Sequence, residues 1–580
     1  MFCGRHGKWS SWRWPACNGR RSYAWWCHPE HLSGRRPACI LPNPQAQVLF
    51  DMLQGDKVGT DGGGHDHEMH QWVVYTKKKH WDDWLEKATC QDIYTANKYI
   101  NRGPPNYLNT HIPDLKTLNN TTQDATLATD NTAKATALAE TFFPLPPPVP
   151  SIPTSVYPEP LQVRGTFTRA DIWNTIKKLK PNKAPGLDRI KNIVLCECIE
   201  SIIDNLYYIY QAILKFNTYP TCWLMSLTIV LHKPGKHAYN IARAYHPIGL
   251  LDTLGKLLST LIAADLSYLT EKHQLLPSTQ FGGRPDCCTT DAIHLVTQWI
   301  KDAWRKKQTV SILFLDIQAT SPNMVKEQLL HNMQSRWVPS TYIWLIENML
   351  SKCKTQLRFD DFTSELIEIN NRTTQGCPLS MLLYAYYNAD LINIAKSKCE
   401  LSAGFMDDCA FVATENTLVN THQILKNIME RLGGGLDWSH VHNSPFKITK
   451  LACMDFTHPN ATPIDSLLTL TIQTADSLTT SNVIITTAQT YKYLGVIFDP
   501  KLNWNNHISN VVAKASHWTR QLRRVAKMAG GLSPQKTRQL HSLQSKYVLD
   551  MKKILWHSII YSHLQYQRRG MKITIFGYSL

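Results

Sequence analysis

The sequence predicts an α/β (α+β) fold, on three observations. SILFLDI (311–317) is a continuous apolar run that closes on an acid, the pattern of a buried strand. GFMDDCAFVA (404–413) sets two adjacent acids between two apolar runs, the pattern of a tight hairpin. Ala170–Leu179 and Leu251–Leu269 repeat apolar residues at helical spacing. Strands and helices alternate in this way along a body that begins near Thr166, and no internal repeat is visible.

Each element has to fit a chain of 580 residues with a net charge of +17, 43% apolar and 18% charged. That apolar share is enough for a packed core, and the low charged share argues against wholesale disorder. The basic surplus favours a polyanionic partner, above all nucleic acid. No apolar run reaches the ~18 residues of a membrane span, and no signal-peptide apolar region follows the first residues, so no membrane partner is expected. The fifteen cysteines are scattered, which fits a reducing compartment and small core residues.

In chain order, residues 1–71 are unassigned and expected to be disordered. Cys3, Cys17, Cys27, His28, His31 and Cys39 lack the tight paired spacing of structural zinc sites. His65, His67 and His70 follow three glycines and read as a solvated loop. Residues 72–140 read as a helical arm, in which Trp81, Trp84, Leu85 and Ala88 form one apolar stripe. Residues 141–165 are a Pro-rich linker, with eight prolines between 144 and 160. Residues 166–503 form the main body, with Tyr491–Phe498 as a further strand. Residues 504–546 alternate basic and apolar residues at helical spacing, and 547–580 are an unassigned tail.

The chemistry concentrates in the two acid-bearing features. Asp316 ends the buried strand, while Asp407 and Asp408 sit at the hairpin tip. Charges so placed are costly unless neutralised. A divalent cation such as Mg2+ (or Mn2+) does this with hard oxygen ligands, and two such ions ~4 Å apart clamp the attacking and leaving oxygens in nucleotidyl transfer. An acid after a strand and an Asp-Asp turn also occur in unrelated proteins, so neither feature alone fixes the chemistry.

The order of further boxes narrows the choice. The chain reads KLKPNKAPGLDRI (178–190), LHKPGKHAYNIARAYHPIGLL (231–251), LLPSTQFGGRPDCCTTDAIHL (275–295), FLDI (314–317), TTQGCPLSMLLY (373–384), FMDD (405–408), HNSPFKITKLACMDF (442–456) and YKYLGVIFD (491–499). Over 166–525 this resembles the reverse transcriptase of non-LTR (LINE-type) retrotransposons, particularly those of fungi. The resemblance implies a right-hand polymerase with fingers, palm and thumb. It also implies an RNA template, a DNA primer, deoxynucleoside triphosphates and action in the nucleus. Asp316, Asp407 and Asp408 would hold the catalytic metals. Phe405 would lie near the primer end, and Gln375 and Gly376 would shape the pocket for nucleotide and template. Lys233, Lys236 and Arg284 would belong to the fingers, with Arg284 against phosphate or template, and Lys450 would lie beside the pocket to neutralise pyrophosphate. Tyr493, Leu494 and Gly495 would support the primer strand, and Arg520, Arg523, Arg524, Lys527 and Lys536 would face nucleic-acid backbone from the thumb.

The chain also departs from the family pattern. Ser321 stands where a bulky residue excludes the ribose 2′-hydroxyl, and His246 replaces an Arg before Pro-Ile. Asp286, Cys287 and Cys288 replace a Gly-Arg pair, and Arg189 stands where Gly is usual. No apurinic-type endonuclease signature, CCHC knuckle or RNase H carboxylate set is visible. The expectation is therefore a polymerase segment alone. The alternative is a catalytically inert transposon relic that at most binds nucleic acid. An RNA-dependent RNA polymerase would share the acids, but QGCPLS and YLGVIFD argue against it.

Overall fold

The computed structural model describes residues 75, 76, 79, 111–118, 125–144, 156–162, 166–318, 323–369, 376–458, 460, 469–476 and 479–525. The chain divides into two compact units, Met1–Lys87 and Ala88–Leu580, and every element named below lies in the second.

The described part of that unit opens with strands β1 (Leu115–Leu118) and β2 (Ala125–Ala128), paired antiparallel, then helix α1 (Asn131–Phe142). Asp130 caps α1 by accepting from the Thr132 and Ala133 amides, both at 2.9 Å. Of the helical arm expected over 72–140, residues 75, 76 and 79 are helical, and the described residues of 115–142 are a hairpin followed by a helix. Ala125–Ala128 pairs residue for residue with Leu115–Leu118, and Leu115 and Ala128, opposite each other, are both buried. In the linker region, Tyr157 Oη shares a 3.0 Å hydrogen bond with His331 Nδ1, and the Leu161 amide donates to the Trp337 carbonyl at 2.9 Å.

Helices α2 (Arg169–Lys177), α3 (Asn192–Glu197) and α4 (Ile199–Phe216) follow, then strands β3 (Met225–His232) and β4 (Tyr245–Leu251). Helices α5 (Thr253–His273) and α6 (Thr289–Arg305) lead into strand β5 (Thr309–Asp316). Helices α7 (Lys326–Gln334) and α8 (Ser340–Met349) precede three strands, β6 (Cys353–Phe359), β7 (Phe362–Thr363) and β8 (Ile367–Ile369). Helix α9 (Ser380–Ile392), strands β9 (Glu400–Phe405) and β10 (Asp408–Glu415), helices α10 (Leu418–Glu430) and α11 (Gly435–Val441), and strand β11 (Ala452–Phe456) complete the centre. Two small hairpins, β12 (Thr469–Asp476) with β13 (Thr479–Thr486) and β14 (Tyr491–Tyr493) with β15 (Val496–Phe498), lead to helix α12 (Asn505–Val525).

Two sheets organise these elements. The central one has the order β11-β5-β10-β9, antiparallel throughout. Successive side chains of a strand point to opposite faces. Val310, Ile312, Phe314, Ala410 and Val412 accordingly pack on one face with Ile293, Val296 and Ile300 of α6 and with Tyr493, Val496 and Phe498. Leu313, Leu315, Cys409, Phe411 and Cys453 pack on the other with Leu391 and Ile392 of α9, Leu425 and Ile428 of α10, and Trp438 of α11. The second sheet has the order β4-β3-β6-β7, with β8 also on β6 and a parallel β3–β6 pairing. Ile112, Leu115, Leu138 and Phe142 pack against its Val230, Tyr245, Leu357 and Phe359.

Tyr491–Phe498 is two strands rather than one. Leu494 (φ 45°) and Gly495 (φ 88°) make a two-residue turn with positive φ at both positions, the type I′ geometry that suits a hairpin. An apolar residue in the left-handed region hides such a turn from a reading of hydrophobicity.

Candidate active site

The three acids of the sequence analysis meet at one end of the central sheet. Asp316 and Asp408 are direct register partners on β5 and β10, which puts both carboxylates on the same face. Asp408 also pairs with Phe405, so Met406 and Asp407 form a two-residue loop. Met406 has φ 58°, a left-handed conformation that costs a residue with a side chain about 1–2 kcal/mol.

Three neighbours hold that loop. Asn388 of α9 donates from Nδ2 to the Met406 carbonyl at 2.9 Å. The loop before α6 lies alongside β9: the Phe281 amide donates to the Gly404 carbonyl at 2.8 Å, and the Gly404 amide donates to the Thr279 carbonyl at 3.0 Å. A Cβ on Gly282 would come within 2.3 Å of the Met406 nitrogen, so only Gly allows this approach. The sequence showed a Gly-rich loop here, but not that it presses on the acidic hairpin.

Charge repulsion marks the site. Asp408 titrates at about 6, pushed up first by burial and then by Asp407 and Asp316, with Lys450 opposing. Asp407 reaches solvent, yet the surrounding protein and the Asp316 charge raise it too, against its own amide and Lys450. The cation at hand is Lys450, whose Nζ lies 2.7 Å from Asp316 Oδ2. The Lys447 amide donates to the Asp316 carbonyl at 2.9 Å and the Gln318 amide to the Pro445 carbonyl at 2.9 Å, which brings this segment to the end of β5. Three clustered carboxylates, with Asp407 and Asp408 raised by burial and neighbouring charge, are a donor set for a hard divalent cation.

Residues 231–498 match the family described as "Reverse transcriptase (RNA-dependent DNA polymerase)". The chain is similar to the "Probable RNA-directed DNA polymerase from transposon BS" of Drosophila melanogaster, 27% identical over 61% of this chain and 38% of that protein. It is also 27% identical to the "RNA-directed DNA polymerase from mobile element jockey" of Drosophila funebris, over 59% of this chain and 36% of the relative. A third similar protein is the "Putative 115 kDa protein in type-1 retrotransposable element R1DM" of Drosophila melanogaster, at 21% over 72% and 38%. Residues 231–498 are therefore similar to a reverse-transcriptase domain, and the relatives named are proteins of transposons and mobile elements. The chain spans less than two-fifths of the length of these relatives.

The other expected residues divide. Phe405 is half-buried at the end of β9, next to the acidic loop. Gly376 has φ 124°, and a Cβ there would come within 2.4 Å of the Gly249 carbonyl oxygen, so this box leans on β4 through bare backbone. Gln375 and Ser321 lie outside the described residues. Arg520 is exposed on α12, which also carries Arg523 and Arg524; Lys527 and Lys536 lie outside. So do the amino-terminal Cys and His residues and His65, His67 and His70.

Two of the expected residues are engaged within the protein. Arg284 was assigned to phosphate or template, but its fork is engaged within the protein. Nε and Nη2 meet the two Glu271 oxygens at 2.8 and 2.6 Å, and Nη1 donates to the Pro277 and Gln280 carbonyls at 3.1 Å. This bidentate pair ties the Gly-rich loop to the end of α5. Tyr493 was assigned to the primer strand, but its ring is buried against Phe314, centroids 5.1 Å apart. Leu494 packs on the same core, which leaves Gly495 at the turn.

Two substitutions away from the family's Gly-containing pattern fall on left-handed backbone, Arg189 at φ 56° and Asp286 at φ 56°. The fold keeps that conformation with the larger residues in place. Nearby, Asp188 accepts from the Thr253 amide at 2.8 Å and the Ile190 amide at 3.1 Å, which fixes this box to the start of α5. The sequence analysis missed Lys447. Burial first, then the charges of Lys236 and Lys447, lowers Lys233, and burial and Lys233 lower His246. Positive charge therefore gathers beside the acids.

Proposed function

We propose that this chain catalyses RNA-directed DNA synthesis by two-metal nucleotidyl transfer. In this reading the central sheet is the palm, β3, β4 and their neighbours belong to the fingers, and α12 opens the thumb. The observation that carries it is the register pairing of Asp316 with Asp408 beside the Asp407 loop, within the residues similar to a reverse-transcriptase domain.

Asp316, Asp407 and Asp408 would hold Mg2+ or Mn2+. The chemistry supplied by such ions is Lewis-acid polarisation of the phosphoryl oxygens and activation of the primer 3′-hydroxyl. The chain's own residues do the rest. Gly282 and Gly376 let their segments pack backbone to backbone on the acidic loop and on β4, which fixes the walls of the site. Lys233, Lys236 and Lys447 gather positive charge for a triphosphate. Lys450, which lies 2.7 Å from Asp316 Oδ2, would neutralise the leaving pyrophosphate. The exposed Arg520 of α12, with Arg523 and Arg524 on the same helix, and the +17 charge suit the backbone of a primer–template.

The test is primer extension by the full chain on an RNA template with Mg2+ and deoxynucleoside triphosphates. DNA product from the wild type, lowered about a thousandfold or more in Asp407→Asn, supports the reading. No product from a wild type that still binds primer–template would overturn it.

A further inference from the structure

A second group of potential ligands sits on the other face of the central sheet. Cys453 and Asp455 are two residues apart on β11 and so share a face, and His422 reaches them from α10. His422 Nε2 lies 2.8 Å from Asp455 Oδ1 and 3.9 Å from Cys453 Sγ. The three ligating atoms all fall within 4.8 Å of one another, with His422 and Cys453 buried. We propose that His422, Cys453 and Asp455 form a structural zinc site that staples helix α10 to strand β11.

Geometry, chemistry and charge support this assignment. Tetrahedral zinc, with bonds of about 2.05 Å to N or O and about 2.3 Å to S, sets neighbouring N and O ligands about 3.3 Å apart and N and S about 3.6 Å apart. The spacings of 2.8 and 3.9 Å bracket those values, so a few tenths of an ångström of side-chain movement closes the site. A nitrogen, a thiolate and a carboxylate suit a borderline-soft ion such as zinc better than Mg2+. One thiolate and one carboxylate on Zn2+ leave no net charge in a buried place, with neutral imidazole as the third ligand. Binding would release the thiol proton to solvent and transfer the Nε2 hydrogen of His422 to its Nδ1.

The surroundings are arranged as a supporting layer. Ser311 Oγ donates to Asp455 Oδ1 at 2.6 Å and shares a 2.6 Å hydrogen bond with Thr421 Oγ1, one residue before His422. Such contacts orient a ligating carboxylate. Zinc with three protein ligands takes a fourth from water or a hydroxyl, and the Ser311 hydroxyl is adjacent. The site is separate from the acids. Ser311 is the register partner of Asp455, lies five residues from Asp316 on β5 (roughly 16 Å at the rise of a strand), and faces the opposite way.

The test uses the full chain purified without chelators, exposed to excess Zn2+ and then desalted. Cys453→Ser is expected to hold one zinc fewer per chain than the wild type. Co2+ in the wild type is expected to give a thiolate charge-transfer band that this variant lacks. Equal zinc content in the two proteins, or no such band from Cys453, would overturn the proposal. Should Cys453→Ser fail to fold, Asp455→Asn decides, because the amide keeps the shape and an acceptor for Ser311. Its zinc affinity, by chelator competition, is expected to fall at least tenfold. An unchanged affinity would overturn the proposal.

Discussion

The two faces of the central sheet place their polar groups differently. On one face Asp316 and Asp408 stand side by side at the strand ends, where burial and mutual repulsion hold Asp408 at about 6. On the other, Asp455 is enclosed by partners, with Ser311 at 2.6 Å and His422 at 2.8 Å. Frustrated charge at an open edge waits for a ligand, whereas satisfied charge under a helix holds the fold. The same strand, β5, contributes to both, and its alternation keeps them apart.

The largest expected effect breaks the open face without touching a carboxylate. Gly282→Ala places a methyl group 2.3 Å from the Met406 nitrogen, so the Asp407 loop must move. Primer extension should fall about a hundredfold, because small misplacements of catalytic groups cost that much. Near-normal rates would show that the loop position is not critical.

The next effect concerns pH. An unfolded aspartate titrates near 3.9 and Asp408 in the fold near 6, so the fold binds this proton more tightly. Stability from this group is present below about 4 and is lost as pH rises through 6. Without divalent cations, thermal melts should show a loss between about pH 4 and pH 6 that shrinks in Asp408→Asn and on adding Mg2+. The same decline in wild type and variant would place the effect elsewhere.

The smallest effect sharpens the covered face. Thr421→Val removes the hydroxyl that meets Ser311 Oγ, and urea unfolding should show a loss of about 1 kcal/mol. A variant as stable as the wild type would remove that hydroxyl from the supporting layer.

The two faces were also unequally legible in the sequence. Asp316, Asp407 and Asp408 stood out because charge interrupts apolar runs at a strand end and a turn. His422 and Cys453 are 31 residues apart, and no spacing connects a helix to an edge strand, so the covered cluster was invisible. The Arg284–Glu271 pair was invisible for a related reason, since Glu271 belongs to the preceding helix. The burial of Tyr493 was not legible because YLG gives no sign of which side of the turn faces the core. The central strands and α5 follow their hydrophobic periods closely, whereas the hairpin at 115–128 depends on packing against the second sheet.

The most direct measurement of the account is metal binding at both faces of one protein. Mn2+ bound in the presence of primer–template and nucleotide, followed by electron paramagnetic resonance, is compared with zinc content in wild type and Asp316→Asn. The account predicts that Asp316→Asn loses Mn2+ at the open face and retains its zinc. Mn2+ bound equally well by both proteins would contradict the assignment of Asp316, Asp407 and Asp408 as the metal site.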